Sequence, residues 1–211
     1  MLCEPAFVKK LPDVLSESDL SIAELHAAKL DGVLLPIGAA FRGIDRPDRR
    51  ADRLAALAPT VPARVVVSEE SAAWIWGAIE SAPEPLRLSA SIRQRARLQL
   101  SSRVVVREVT FTADDVVHLD VETGLQRPAS SSAPSPAVAV TSALRTAIDL
   151  ARSANRASAA TALRQMFTLG LAYPDDVKAV LLTYVRVAGR NAALAAVERA
   201  RPNPRDGTPT R

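Results

Sequence analysis

Apolar positions change their spacing along the chain, and each change marks an element. Ile22, Leu25 and Leu30 fall at helical spacing and predict one buried stripe. Ahead of them stands Ser21-Ile22-Ala23-Glu24, a capping box. The Ser21 hydroxyl accepts from the Glu24 amide, and the Glu24 carboxylate reaches back. Asp31-Gly32 suits a left-handed helix exit, so a helix is predicted over 22–31. Val33-Leu34-Leu35-Pro36-Ile37 is a short apolar run, Gly38-Ala39-Ala40 turns it, and Phe41-Arg42-Gly43-Ile44 returns as a hairpin. Pro36 lacks an amide proton, which confines its strand to a sheet edge. A helix followed by a small hairpin is the back half of a winged helix-turn-helix. Residues 45–52 are charged and expected in solvent, and 53–58 read as a short helix.

The spacing then shifts to that of strands. Arg64-Val65-Val66-Val67 is β-branched, 86–90 alternates with one buried face, and 103–111 is a longer strand. Between them, Ser68 or Ser71 caps a helix carrying Trp74 and Trp76 that stops at Gly77. Two positions apart, the tryptophans cannot share a helix face, which makes one core and the other an interface candidate. A short element falls at 116–119 and a strand at 137–140. Residues 126–136 are rich in Ser, Ala and Pro and predict a mobile surface insertion. Four helices follow: one capped by Thr141 or Ser142 and running to about 154, then 159–169 ending at Gly170, 174–188 opening on Pro174, and 191–199 after Gly189. Residues 201–211, with three prolines, predict a disordered tail. The whole predicts an α+β chain. An abbreviated N-terminal winged-helix-like module covers 1–62, and a mixed α/β domain ending in a helical bundle covers 63–200.

Composition narrows the class. With 211 residues, 48% hydrophobic and 24% charged, the chain can fold without disulfides or metals. Cys3 is the one cysteine, and His26 and His118 lie far apart, so neither a disulfide framework nor a Cys/His metal site is expected. Aromatics at 4% leave little for stacking nucleic-acid bases. No run approaches the ~20 apolar residues of a spanning helix, and 1–10 is not a signal peptide, so a cytoplasmic protein is expected. The net charge of +4 permits nucleic-acid binding without demanding it. Nearly all the basic residues are arginine, a bias that base composition of the coding DNA explains.

Candidate chemistry is sparse. Glu69-Glu70, Asp114-Asp115 and Asp175-Asp176 sit side by side on the backbone, whereas acid–base catalysis needs carboxylates facing one another, so capping or solvated roles are expected. A restriction-type nuclease would want Asp followed by Glu-x-Lys, and Asp120-Val121-Glu122-Thr123 lacks the lysine. There is no Gly-x-Ser-x-Gly elbow and no Gly-rich phosphate loop, and no enzyme or cofactor is expected. The densest basic stretch is Arg93, Arg95, Arg97, Arg103 and Arg107, which fits either phosphate contacts or a solvated rim. Arg145 and Asp149, four apart, suit a local ion pair. His118 is read as structural.

Three stretches together resemble the AbiEi-type antitoxins of bacterial type IV toxin–antitoxin systems, in their actinobacterial form. They are the helix and hairpin of 21–42, Val-Ser-Glu-Glu-Ser-Ala-Ala-Trp-Ile-Trp-Gly at 67–77, and Val-Thr-Ser-Ala-Leu-Arg-Thr-Ala-Ile-Asp-Leu-Ala-Arg at 140–152. The resemblance spans about 18–152, and its third motif is the most specific. It implies an N-terminal DNA-binding domain that represses its own operon, and a C-terminal domain that neutralises a nucleotidyltransferase-like toxin. On that reading the helix after Ser21 reads DNA and the hairpin is the wing. Ser21, His26, Lys29 and Arg42 are the implied DNA contacts, with Arg93, Arg95 and Arg97 as auxiliary phosphate contacts. The sequence departs from the pattern where the first helices of the helix-turn-helix are missing or compressed, where the wing has no Lys or Arg before Arg42, and where the reading helix carries Glu24 and Asp31 against Lys29 and His26. The alternative is an interaction scaffold that has lost DNA binding, and a decayed nuclease stands third.

Overall fold

The structure, a computed structural model, describes residues 11–92, 102–128, 135–184 and 188–202. They form a mixed α+β fold of seven α-helices and two β-sheets, helical toward the C-terminus. None of the helices is long and apolar enough to cross a membrane.

The first sheet is small. Strands β1 (Val14–Leu15), β2 (Leu34–Ile37) and β3 (Ala40–Gly43) are antiparallel in the order β1-β3-β2, which leaves Pro36 on an edge where its missing donor costs nothing. Helix α1 (Ile22–Leu30) precedes the hairpin and begins with the expected capping box. The Glu24 amide donates to Ser21 Oγ at 3.3 Å, and the Ser21 amide donates to the Glu24 carboxylate at 2.9 Å. The predicted buried stripe is corrected. Leu25 is buried against Leu15, Leu34 and Phe41, but Ile22 is 47% and Leu30 87% exposed. A sheet with a two-residue outer strand covers only Leu25 and, in part, Ala28, and Ile22 and Leu30 are left exposed.

Helix α2 (Arg50–Leu57) continues through a 3-10 turn at Ala58–Thr60 and joins the two halves of the molecule. Leu54 and Leu57 belong to one cluster with Ile37 and Ala40 of the first sheet and with Val65, Val67 and Trp74 beyond. The core is therefore continuous across residue 62. Residues 45–52 are not uniformly solvated as expected. Asp52 is buried and accepts from the Arg49 amide and guanidinium, because it faces inward from the first turn of α2.

The second sheet contains β4 (Val65–Val67), β5 (Leu86–Ser91), β6 (Val104–Val109), β7 (Val116–Asp120) and β8 (Ala137–Thr141), in the order β6-β5-β4-β8-β7. The β4–β5 and β7–β8 pairs are antiparallel, and β5–β6 and β4–β8 are parallel. Val65, Val67, Leu88, Leu119, Val138 and Val140 pack beneath α2 and the tryptophan helix α3 (Glu69–Trp76). Alternation along each strand puts Val66, Ser89, Arg107, Val116, His118 and Ala139 on the other face. Gly124, at φ +69, turns the chain so close to α2 that a Cβ would lie 2.9 Å from the Ala51 amide nitrogen. Trp74 is buried as one of the pair was expected to be. Trp76 is no free interface: its indole donates to the Thr141 carbonyl at 3.0 Å, and Arg50 lies 4.8 Å over its ring.

Helices α4 (Ala143–Arg152), α5 (Ala157–Thr168), α6 (Pro174–Thr183) and α7 (Arg190–Ala200) bury a second cluster, rich in alanine, that includes Leu150, Leu163, Met166, Leu181 and Val197. Small side chains let these short helices approach closely. Helix α6 ends at Thr183, earlier than predicted, as Tyr184 leaves the helical conformation. Of the predicted mobile insertion, Arg127 and Ser135 both donate to the Asp120 carboxylate, and 129–134 lie outside the described residues. So do Cys3, residues 203–211, and Arg93, Arg95 and Arg97.

Candidate functional site

The implied DNA contacts of the N-terminal half are held in local roles. Ser21 is the cap of α1. His26 lies edge-on to Phe41, ring centroids 5.6 Å apart. The Arg42 guanidinium turns back to donate to the Arg46 and Gly43 carbonyls. Arg46 and Arg49 both pair with Asp13, and Arg53 pairs with Asp48. Lys29 is exposed in the last turn of α1 with no ion pair among the described residues. Of the exposed positions of α1, Ile22, Ala23, His26, Ala27 and Leu30 carry no lysine or arginine, and Lys29 is offset by Glu24.

The chemistry concentrates elsewhere, at the C-terminal end of β4. The chain leaves Val67, passes Ser68 and enters α3 through Glu69, whose backbone is left-handed at φ +49. A non-glycine residue there is strained by roughly 1–2 kcal/mol, so the surrounding contacts must hold it. They are visible. Glu69 is 1% exposed and accepts from Arg107 on β6 and from Arg156 ahead of α5. Glu70, 2% exposed, accepts from Arg156 at 3.0 and 3.1 Å and from the Ser158 hydroxyl at 3.0 Å. Beneath the elbow, the Ser68 and Ser89 hydroxyls are 2.7 Å apart, and Ser71 accepts from the Arg87 amide at 2.7 Å.

Helix α4 extends the cluster. Arg145 Nε is 3.1 Å from both Asp149 oxygens, and Arg145 Nη1 donates to Asp115 at 2.9 Å and to the Thr110 carbonyl at 3.4 Å. Its guanidinium also lies 5.2 Å from the Phe111 ring centroid. The segment 110–115 that links β6 to β7 is thereby tied to the helical bundle. Burial pushes the Asp149 carboxyl up despite Arg145. Burial acts the same way on Glu70, but there Arg156, a backbone hydrogen bond and Ser158 outweigh it and hold the carboxyl below its ordinary value. Burial works against the charge on Arg145 and Arg156, and their carboxylate partners more than restore it.

Two expectations are corrected here. Glu69-Glu70 is neither a solvated pair nor a side-chain cap, because both carboxylates are drawn inward by guanidiniums from distant elements. Arg145–Asp149 is buried and belongs to a larger network. Its signal in the sequence was an acid pair set directly between a β-branched run and Ala-Ala-Trp-Ile-Trp, where solvated acids are out of place. Nothing in the sequence pointed to Arg156. Among the described residues, no group of three or more His, Cys, Asp or Glu side chains is arranged to hold a metal ion.

No protein-family model matches the chain, and no curated protein is similar to it in sequence. Among solved structures, the RV2827C protein of Mycobacterium tuberculosis is similar at a TM-score of 0.42 with 14% identity, over 91% of this chain and 78% of that one. A likeness this loose carries no functional argument.

Proposed function

We propose that this chain is a non-enzymatic, antitoxin-like regulator that acts in the cytoplasm by binding another protein, a nucleotidyltransferase-type toxin. The observation that carries the reading is how the acids at the β4 elbow are engaged. Glu69, Glu70 and Asp149 each face an arginine, so none stands ready to exchange a proton with a substrate. Such a network supports a rigid scaffold. A protein partner is favoured over operator DNA because α1 offers one exposed lysine, Lys29, against the exposed Glu24, and Arg42 is turned inward, whereas DNA affinity comes chiefly from free cations.

Operator binding is the second reading, favoured by the placement of α1 directly ahead of a hairpin within a small antiparallel sheet. Two measurements separate them. The purified chain, mixed at micromolar concentration with a nucleotidyltransferase-like protein encoded beside its gene, should elute with it as one complex and suppress its activity. Absence of such a neighbour, or of a complex with it, defeats the toxin assignment. A gel shift with DNA from upstream of the gene should show no specific band at low salt. A specific band that weakens steeply with salt would favour the second reading. Metal-dependent cleavage of DNA or RNA would defeat both.

A further inference from the structure

The parallel strands β4 and β8 are joined by the single register pair Val67↔Val140. Toward their N-terminal ends lies a groove of about 500 Å³. That size falls within the range of sites for small organic ligands, roughly 300–1,000 Å³. Its lining is almost wholly apolar: Val65 and Val66 of β4, Val138 and Ala139 of β8, Val116 of β7, and Val61 of the approaching loop. Two of its lining residues are ionisable, Arg64 and His118, and no carboxylate lines it. Both are exposed, and neither has an ion pair among the described residues. Arg64 stands at the mouth with its backbone left-handed, φ +68.

This lining fits a ligand with an apolar body and a single anionic head. An uncharged floor that water wets poorly favours an aliphatic or aromatic body. A guanidinium without a carboxylate partner favours a carboxylate or sulfonate and repels a cation, and an imidazole N–H can donate to the same head. His118, read from sequence as structural, is exposed on the sheet face it shares with Val66 and Ala139 of the groove. We propose that the groove between β4 and β8 is a binding site for a small amphipathic anion, with the apolar part against Val66 and Ala139 and the head at Arg64 and His118. The proposal does not depend on the macromolecular partner.

The test uses the full chain and 8-anilinonaphthalene-1-sulfonate, displaced by dodecanoate or by the uncharged dodecanol. The probe should bind saturably at one site and be displaced more readily by dodecanoate than by dodecanol. Arg64→Gly removes the charge and places glycine where the backbone is already left-handed, so folding is spared. It should weaken dodecanoate about threefold to fivefold and leave dodecanol unchanged. Ala137→Phe fills the groove from an exposed position and should weaken both. Amide resonances of Val66, His118 and Ala139 should shift on titration with dodecanoate. The proposal is overturned if dodecanol competes as well as dodecanoate, if neither variant alters binding, or if the shifts fall instead on the separate groove lined by Leu35 and Trp74.

Discussion

At the scale of single residues, the elbow at Glu69 decides the most. A buried ion pair is weak evidence for stability, because desolvation can cancel the Coulomb gain, but removing one partner strands the other. Arg156 serves two carboxylates that are almost wholly buried, and Arg145 serves Asp149 and Asp115. Arg145→Ala is therefore expected to cost about 3–5 kcal/mol. For a chain of this size that lowers the melting temperature by very roughly 6–20 °C. Urea unfolding at pH 7 checks the free energy directly. A midpoint shift worth less than about 1 kcal/mol would mean that water enters and solvates Asp149. Exposed pairs set the contrast. Lys178→Ala, which breaks the pair with Glu198 on the surface of the bundle, should change stability by no more than about 1 kcal/mol.

At the scale of elements, short-range signals were legible and long-range ones were not. The capping box of α1, the Gly38–Ala39 hairpin turn, edge placement of Pro36 and the stop at Gly77 all rest on chemistry within four residues, and each appears where the sequence put it. The buried stripe of α1 failed because periodicity reports which face could be covered, and the cover must come from elsewhere in the fold. Trp76 failed as an interface because its partners, Arg50 and the Thr141 carbonyl, are 26 and 65 residues away. Of the candidate site, Arg145 and Asp149 were legible as a pair, but their burial and the arrival of Arg107 and Arg156 depend on tertiary contacts. Helix α1 accordingly rests chiefly on Leu25, with Ala28 packed partly buried beside it. Leu25→Ala is expected to cost about 2–5 kcal/mol. The loss should appear as faster amide exchange across 14–43, with the helices α4–α7 still protected. Leu30→Ala, at a position 87% exposed, should shift stability by less than about 0.5 kcal/mol. Equal protection loss throughout the molecule would show that the first sheet and the bundle unfold as one unit.

At the scale of the whole molecule, the charge network fixes the direction in which stability changes with pH. Among the described residues, six carboxyls sit below their ordinary values in the folded chain: Asp13, Glu24, Glu70, Asp120, Asp175 and Glu198. For Asp120 the cause is the Ser135 hydroxyl and Arg127, and for Asp175 and Glu198 it is Arg201 and Lys178. Below about pH 4.5, where free carboxylates take up protons, the unfolded chain binds more of them than the folded one. Stability then falls as pH falls, through each native titration in turn. Asp149 opposes this, because burial raises its pKa and the folded chain binds its proton first. Urea midpoints should decline from about pH 4.5 to 2.5, at a rate that steepens as more carboxyls enter titration. In Asp149→Asn the opposing contribution is gone, so the variant should lose more stability between pH 7 and 2.5 than the unaltered chain. A flat profile down to pH 3, or a shallower one in Asp149→Asn, would mean that the surface pairs contribute nothing in solution and that the β4 elbow takes up a proton without loosening the fold.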